Sequence, residues 1–224
     1  MSSAAVRVVR EALAGTGVGL VASCSAAAYD ARAPEPYRSQ AWLSGARGVI
    51  VAASAGPLLW RRFREQVEAD PSRWEEAHPY DAFVGTILAG ADRVLAREGI
   101  AFRRFDAAFH APVRVDFLAL SSLVGLGSPS PFALHIHEVH GPWWALRGAW
   151  LVDAEVDAPL EHRPPCLGCP APCVGGQLHG TIVLASPETR SRCVLGQSSR
   201  YDDEQIAYHY ERVRPPLTKP GKTR

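Results

Sequence analysis

Short apolar runs of the kind that form buried strands alternate in this sequence with segments of helical periodicity. VGLVASC at 18–24 and VIVAA at 49–53 are two such runs. Ahead of the first run, Val6, Val9 and Leu13 recur at the spacing of one helix face, and glycines follow where that helix would end. The order of these segments predicts an α+β fold in which helices flank a sheet.

Two further helices are predicted in the first half of the chain. Pro57 suits the first turn of a helix. The helix that would begin there has its apolar residues on one face, and these are Leu59, Trp60, Phe63 and Val67. Asp81 occupies an N-cap position, and apolar residues continue from there at helical spacing until Gly99.

Strand and helix signals also alternate after Gly99. IAFRRF at 100–105 is typical of a strand, and Val113 to Val124 of a helix. The segments 132–139 and 144–153 contain tryptophan, valine and alternating polarity, which predicts a central hairpin. A last helical pattern runs from Asp202 to Val213.

A chain of 224 residues with 47% hydrophobic content buries a substantial core. We divide it into a core at 1–163, a Cys-, Pro- and Gly-rich segment at 164–198, and a helix at 199–213 that completes the core. The remaining residues, 214–224, form a basic, proline-bearing tail that we expect to be disordered.

Composition argues against nucleic-acid and membrane partners. The 24 Lys and Arg residues nearly balance the 23 Asp and Glu residues, so the chain has no broad positive field. The most apolar stretches, 18–29 and 48–60, are too short to cross a bilayer. The N-terminus lacks the pattern of a signal peptide. We therefore expect a cytosolic protein, in which the five cysteines are thiols or metal ligands rather than disulfides.

Polar and aromatic residues that could bind a ligand or take part in a reaction are concentrated in HIHEVHGPWWALRGAW at 135–150. This segment holds three of the eight histidines, two adjacent tryptophans and an arginine. On a strand, His135 and His137 point to one face, which is a spacing that zinc ligands use. The alternative is that these residues pack a sheet edge with their histidine rings exposed. Composition alone leaves both interpretations open.

Two further segments have a functional and a purely structural interpretation. FLALSSLVGLG at 117–127 offers apolar walls, hydroxyls and glycines for a broad apolar ligand, or is a core helix that ends at its glycines. Cys166, Cys169, Cys173 and Cys193 could hold one zinc ion or one iron–sulfur cluster, or remain free or redox-paired thiols. Cys24 stands apart, as a small buried hydrophobe.

Three segments resemble those of the CblC (MMACHC) family of cobalamin-processing proteins. They are the pattern from His135 to Gly148, RYDDEQIAYHY at 200–210, and HPYDAFVGTILAGADRVL at 78–95. The resemblance covers residues 4 to about 213. It implies a nitroreductase-like α+β fold, with a mixed sheet flanked by helices, that encloses cobalamin with the lower base detached.

Matching the chain to this family position by position implies a set of corrinoid-contacting residues. These are Asp106, Phe117, Leu118, Ala119, Leu120, Pro131, Phe132, Ala133, His135 and Leu146. Two departures from the family pattern are visible: its tyrosine-rich stretch is SPSPF at 128–132, and an insertion before the predicted hairpin is missing. We therefore expect the cobalt face to be lined differently from that of the family.

Arg147 and Arg200 match arginines with which CblC proteins hold glutathione. A guanidinium binds carboxylates through paired, charge-assisted hydrogen bonds, so two arginines could hold the tripeptide over the cobalt. The resemblance implies thiol-dependent dealkylation of cobalamin, or reductive decyanation with an external electron donor. It also implies a corrinoid, a small thiol and a reductase or cobalamin-dependent enzyme as partners. A homodimer is left open.

The cysteine segment resembles the later part of the ferredoxin-like motif in epoxyqueuosine reductase, a corrinoid enzyme related to CblC. Cys166, Cys169, Cys173 and Cys193 match four of its cysteines. The first cysteine of that motif falls at Arg163, so two full clusters cannot be built. The leading interpretation is thus a cobalamin dealkylase or decyanase; the alternatives are a corrinoid carrier without chemistry and an iron–sulfur corrinoid reductase.

Overall fold

A computed structural model describes residues 2–108, 115–175 and 185–217, and a four-stranded sheet lies at its centre. The strands are β1 (Leu20–Ser25), β2 (Gly48–Ala55), β3 (Phe102–Asp106), β4 (Ser128–Pro129), β5 (His135–Ile136) and β6 (Trp144–Val152). The central sheet has the order β1-β2-β6-β3, and β4 pairs with β5 in a separate two-stranded sheet. Every pairing among these strands is antiparallel.

Seven α-helices surround the sheet in the described part of the chain. They are α1 (Ala4–Leu13), α2 (Ala26–Asp30), α3 (Leu58–Ala69), α4 (Pro79–Arg97), α5 (Phe117–Leu123), α6 (Pro187–Ser191) and α7 (Asp203–Ile206). A π-helical turn, Ala207–Glu211, continues α7. The remaining turns are 3-10 helices at Glu35–Tyr37, Ser39–Ala41, Pro71–Glu75, Pro172–Val174 and Gln197–Ser199.

Helices cover both faces of the central sheet, which explains why β2 is buried along nearly its whole length. On one face, the apolar sides of α1, α3 and α4 pack against Ile50 and Trp150. On the other face, α5 and the end of α2 pack against Val49, Val51 and Leu151. The α+β fold predicted from the alternating segments is confirmed.

A polar contact joins α4 to the centre of the sheet. Asp92 of α4 accepts a 2.7 Å hydrogen bond from the indole of Trp150 and pairs with Arg104 of β3 at 2.5 Å. Because a buried polar group is costly unless it is paired, this contact fixes the position of α4 over β6 and β3.

The predicted hairpin between 132–139 and 144–153 is wrong. β6 is central, as expected, but its partners are β2 and β3 rather than the preceding segment. Only His135 and Ile136 of that segment form a strand, and they pair with Ser128 and Pro129. The prolines and the Gly141 turn leave too few residues for a long ladder, since proline cannot donate to one.

Two helix boundaries also differ from those expected. α4 begins at Pro79 with His78 at the N-cap position, so Asp81 lies in the first turn and is not the cap. The helix predicted from Val113 to Val124 begins at Phe117 instead, because Val115 and Asp116 are not helical; 113 and 114 lie outside the described residues. Asp116 caps it by accepting from the Ala119 amide at 2.9 Å.

The C-terminal part of the described chain packs back onto the core. Pro216 accepts a 3.0 Å hydrogen bond from Arg64, and Leu217 lies against the cluster formed by α1, α3 and α4. The tail predicted to be disordered therefore has ordered residues at 214–217, and 218–224 lie outside the described residues. None of the described helices is both long and apolar enough to span a bilayer.

Candidate functional site

A β-bulge at Arg147 shapes one end of the central sheet. Ala52 of β2 lies opposite Gly148 and the next residue, Ala53, lies opposite Leu146, so Arg147 is the extra residue on β6. Arg147 therefore points to the same side as Gly148, toward α4, while Leu146 packs on the opposite face with α5. Leu146 and Arg147 thus lie on different faces of the sheet, as neighbours in a strand do, whereas the bulge puts Arg147 and Gly148 on the same side.

A cavity of about 400 Å³ opens where the first half of α4 meets the ends of β3 and β6. We call it the α4 cavity. Val84 and Leu88 form its apolar wall. Asp106, Leu146 and Arg147, which are three of the predicted site residues, also line it. Residues 109–114, which follow Ala108 in the sequence, lie outside the described chain.

Arg147 is held in a fixed orientation at the edge of the α4 cavity. Its Nε donates to Ser54 Oγ at 2.8 Å, and one terminal nitrogen donates to the Tyr80 hydroxyl at 3.2 Å. The guanidinium also lies 5.2 Å from the centre of the Tyr80 ring. Burial raises the pKa of Tyr80 to about 12, against the opposing effect of Arg147, so the phenol stays neutral. The site therefore presents one oriented cation.

Arg200 has a different environment from Arg147. Its guanidinium pairs with Asp203 at 3.0 Å, and its side chain is 41% exposed. It also lies 5.9 Å from the Trp143 ring. An exposed ion pair between residues three apart stabilises the fold little. Another anion could therefore easily replace Asp203 as the partner of Arg200. Arg147 is thus the better organised of the two predicted arginines.

A buried polar cluster that the sequence did not reveal lies beside Arg147. Arg190 donates to the Pro142 carbonyl at 2.8 Å and lies 5.1 Å from the Tyr210 ring. Burial, followed by the charges of Arg147 and Arg190, lowers the pKa of His209 to about 4. The aromatic and histidine content of AYHY was the only sequence signal for this cluster, and nothing marked Arg190.

Several atoms of this cluster have no hydrogen-bond partner among the residues that the structure describes. They are Trp143 Nε1, Arg190 Nε, Gln205 Oε1 and His209 Nε2, and all four are buried. Buried polar atoms in proteins are nearly always satisfied by protein, water or ligand. The π-helical turn that contains His209 is a second indication of a functional site at this cluster, because such turns occur frequently at functional sites.

The predicted corrinoid residues of α5 divide between the core and two surfaces. Phe117 packs with Leu146 on the same face of the sheet, and Leu118 is 45% exposed beside it. Ala119 and Leu120 line a second cavity of about 220 Å³, together with Tyr29 and Tyr37. The apolar character predicted for this segment is thus partly core and partly ligand-accessible wall.

His135 lies next to α5 through a polar contact. Its Nδ1 is 2.6 Å from Ser121 Oγ and 3.3 Å from Ser122 Oγ. Trp144 donates to the His135 carbonyl at 2.8 Å, which fixes the backbone of β5 against β6. Burial lowers the pKa of His135, and the Asp116 carboxylate partly opposes this. The ring is therefore mainly neutral at neutral pH.

The other histidines of the segment do not share a ligand arrangement with His135. His137 Nδ1 accepts from the Val139 and His140 amides at 3.0 and 3.3 Å, and its ring lies 4.7 Å from that of His140. Among the residues that the structure describes, no group of three or more His, Cys, Asp or Glu side chains is placed to hold a metal ion. The zinc interpretation of His135 and His137 gains no support.

Pro131 and Phe132 contact the cysteine segment rather than the α4 cavity. Together with all four predicted cysteines they line a crevice of only about 20 Å³. Ala133, which follows them, is one of three non-glycine residues with a positive φ in the described part of the chain, at 56°. The corrinoid contacts predicted at 131–133 are therefore separated from those at Asp106 and Leu146.

The four cysteines form one group of thiols, in which Cys173 and Cys193 are buried and Cys166 and Cys169 are partly buried. Burial and the neighbouring thiols Cys193, Cys169 and Cys173 raise the pKa of Cys166 to about 11. The Ala171 amide donates to Cys169 Sγ at 3.4 Å. Burial also raises the pKa values of Cys173 and Cys193, so these two thiols and that of Cys166 are protonated at neutral pH. Cys24 lies in the sheet core, and burial raises its pKa to about 12, in agreement with the structural role expected for it.

The fold is similar to that of CblC from C. elegans, a B12-trafficking protein and homologue of human MMACHC. The two share 14% identity with a TM-score of 0.61, over 91% of this chain and 89% of that one. An epoxyqueuosine reductase shares 13% identity with a TM-score of 0.56, over 88% of this chain and 66% of the reductase. The reductase from Streptococcus thermophilus shares 14% identity with a TM-score of 0.52, over 85% and 56%.

These comparisons concern the fold. No protein-family model matches the sequence, and no curated protein sequence matches it. The nitroreductase-like α+β fold of CblC, expected from three short motifs, is confirmed. The chain spans 66% or less of the two reductases, so it corresponds to part of those longer proteins.

Proposed function

We propose that this protein binds cobalamin and removes its upper axial ligand. The observation that carries the proposal is the convergence of Asp106, Leu146 and Arg147 on the α4 cavity, in a fold similar to that of a B12-trafficking protein. Cobalamin is the substrate here, and its cobalt supplies the reactive bond to the ligand that is removed. The protein contributes binding, orientation and exclusion of water.

The described residues fit a corrinoid in chemical character. A corrin is a broad apolar disc edged with amides, so it needs apolar walls and a few oriented polar groups. Phe117, Leu118 and Leu146 offer apolar surface that is not fully buried, and Asp106 and His135 offer polar groups beside it. A cavity of about 400 Å³ suits part of such a ligand, so the rest would extend over α5.

The second part of the proposal is that Arg147 holds a thiol co-substrate such as glutathione. Its guanidinium is oriented by Ser54 and Tyr80 and borders the α4 cavity. It can therefore donate hydrogen bonds to a carboxylate in the cavity without a change in the orientation of the side chain. A cytosolic location, where thiols are kept reduced, belongs to the same proposal. Arg200 would bind the thiol co-substrate only after its ion pair with Asp203 breaks. For cyanocobalamin, an external electron donor replaces the thiol.

The absorption spectrum tests this function directly. Methylcobalamin mixed anaerobically with the protein and glutathione should lose its alkylcobalamin spectrum, and should keep it without protein or without thiol. Cyanocobalamin with a reductant is the parallel test for decyanation. Retention of the full alkyl and cyano spectra at saturating protein would refute the enzymatic proposal.

A corrinoid carrier without chemistry is the second candidate. It is favoured by the SPSPF stretch, in which Pro131 and Phe132 turn toward the cysteine crevice rather than toward the α4 cavity. A carrier would shift the absorption of cob(II)alamin on binding yet leave the upper ligand in place. Transfer of that corrinoid to a cobalamin-dependent enzyme would then identify its role.

The cysteines are proposed to act as one set. Cys166, Cys169, Cys173 and Cys193 line one crevice, so any zinc ion or iron–sulfur cluster bound there would need several of them, after rearrangement from their present positions. Redox-paired thiols are the alternative that the sequence left open. The crevice borders Phe132, so either state would influence the loop that carries the predicted corrinoid contacts.

A further inference from the structure

His135 has the hydrogen-bonding arrangement of a metal-binding histidine on one side of its ring. Ser121, which is fully buried, places its hydroxyl 2.8 Å from the Leu118 carbonyl and 2.6 Å from His135 Nδ1. A hydroxyl has a single proton, and a carbonyl can only accept. The arrangement that satisfies both contacts has Ser121 donating to Leu118 and His135 Nδ1–H donating to Ser121.

This assignment leaves the lone pair of His135 on Nε2. That nitrogen makes no hydrogen bond with the described residues, and His135 as a whole is only partly buried. Histidines that bind metals nearly always donate their other ring N–H to a supporting group, which fixes the tautomer and ring orientation. Ser121 and the Leu118 carbonyl form such a support.

The position of His135 relates this lone pair to the proposed corrinoid surface. The two serines that hold the ring belong to α5, whose Phe117 and Leu118 offer the apolar surface proposed for the corrin. Trp144, which anchors the His135 carbonyl, lies in the same apolar cluster as Leu146. A base-off corrinoid lacks its own nitrogen ligand on the lower cobalt face, and a neutral imidazole is a suitable donor for a transition metal.

We propose that His135 binds the cobalt of a bound corrinoid through Nε2, in place of the corrinoid's detached lower base, and that Ser121 positions the ring. This inference rests on the proposed cobalamin binding and adds a protein ligand to it. No electron transfer or bond cleavage is involved, since the imidazole lone pair simply occupies one coordination position.

His140 offers a matched control for His135. Its Nδ1 is also held by a serine, at 2.7 Å from Ser199 Oγ, and burial likewise lowers its pKa. It lies beside His137 and Ser199, however, and makes none of the contacts with α5 that His135 makes. A His140→Gln variant therefore removes a similar histidine without touching the proposed ligand.

Electron paramagnetic resonance of bound cob(II)alamin tests the proposal. Protein containing ¹⁵N-labelled histidine is mixed anaerobically with unlabelled cob(II)alamin, and binding is confirmed independently by co-elution on a sizing column. Ligation by a protein histidine should convert the three-line nitrogen splitting seen with unlabelled protein into a two-line splitting. The doublet should be lost in His135→Gln and retained in His140→Gln.

Each other outcome has a defined meaning. A three-line splitting in labelled protein would mean that the corrinoid's own base remains bound, and the absence of any splitting would mean that no nitrogen is bound; both overturn the His135 proposal while leaving cobalamin binding intact. Failure to co-elute with cobalamin overturns the proposed function and this inference with it. Ser121→Ala should weaken ligation about tenfold or more, and unchanged ligation would refute its positioning role.

Discussion

Replacing Arg147 by alanine separates its role in thiol binding from its role in the fold. The side chain makes hydrogen bonds to Ser54 Oγ and Tyr80 OH, whose residues are 2% and 4% exposed. Arg147→Ala leaves both hydroxyls without this partner, which costs roughly 1 to 3 kcal/mol of folding free energy. For a chain of this size, each kcal/mol lowers Tm by roughly 2 to 4 °C.

The effect on thiol binding is separate and should be larger than that on corrinoid binding. Loss of a charge-assisted contact to a glutathione carboxylate is worth about 1.5 to 3 kcal/mol, or roughly tenfold to a hundredfold in Kd. Cobalamin affinity should change far less, because in the proposed site the disc is held mainly by apolar surface such as that of Phe117 and Leu146. Calorimetry gives the first affinity and absorbance titration gives the second.

Two further variants make the result decisive. Ser54→Ala removes one support of Arg147 but keeps the cation, so it should lower Tm with only a small loss of thiol affinity. Arg147→Lys keeps the charge but loses the paired geometry, so its thiol affinity should fall between those of wild type and Arg147→Ala. Equal losses of thiol and cobalamin affinity in Arg147→Ala would refute the thiol role.

Three further predictions concern pH, packing and the cysteines. The pKa of folded His209 is about 4, below its ordinary value of 6.5, so the unfolded state binds more protons between these values and stability should fall as pH drops through that window. His209→Gln should reduce this fall by about 2 to 3 kcal/mol in urea titrations at pH 7 and pH 4, and an unchanged pH dependence would contradict it. Gly148→Val should lower stability by about 1 to 3 kcal/mol, because a Cβ there would lie 2.9 Å from Leu88 Cδ1, and an unaltered Tm would show that α4 is packed differently. Cys169→Ser should remove any zinc or iron found by elemental analysis of anaerobically purified protein, whereas full retention of a metal would show that the cysteines do not act as one set.

Much of the fold follows from local patterns in the sequence. The buried runs that became β1 and β2 and the apolar faces of α1, α3 and α4 are visible there, because a segment that must be buried on one or both faces repeats at the period of its own backbone. The resemblance of the sequence to a family likewise predicts Arg147, Leu146 and Asp106 as site residues. The structure brings these three residues to one cavity.

Other features depended on contacts between distant parts of the chain. The strands β2 and β3 pair with β6 across 102 and 44 residues of sequence, as the register pairs Val49–Leu151 and Phe105–Ala149 show, and no local pattern specifies such pairings. The bulge beside Arg147, the nearness of Arg190 to His209, and the serine that orients His135 all arise in the same way. A sequence fixes backbone periodicity over a few residues, whereas the partner of a polar side chain is set by which elements the packed core brings together, and only the tertiary structure decides that.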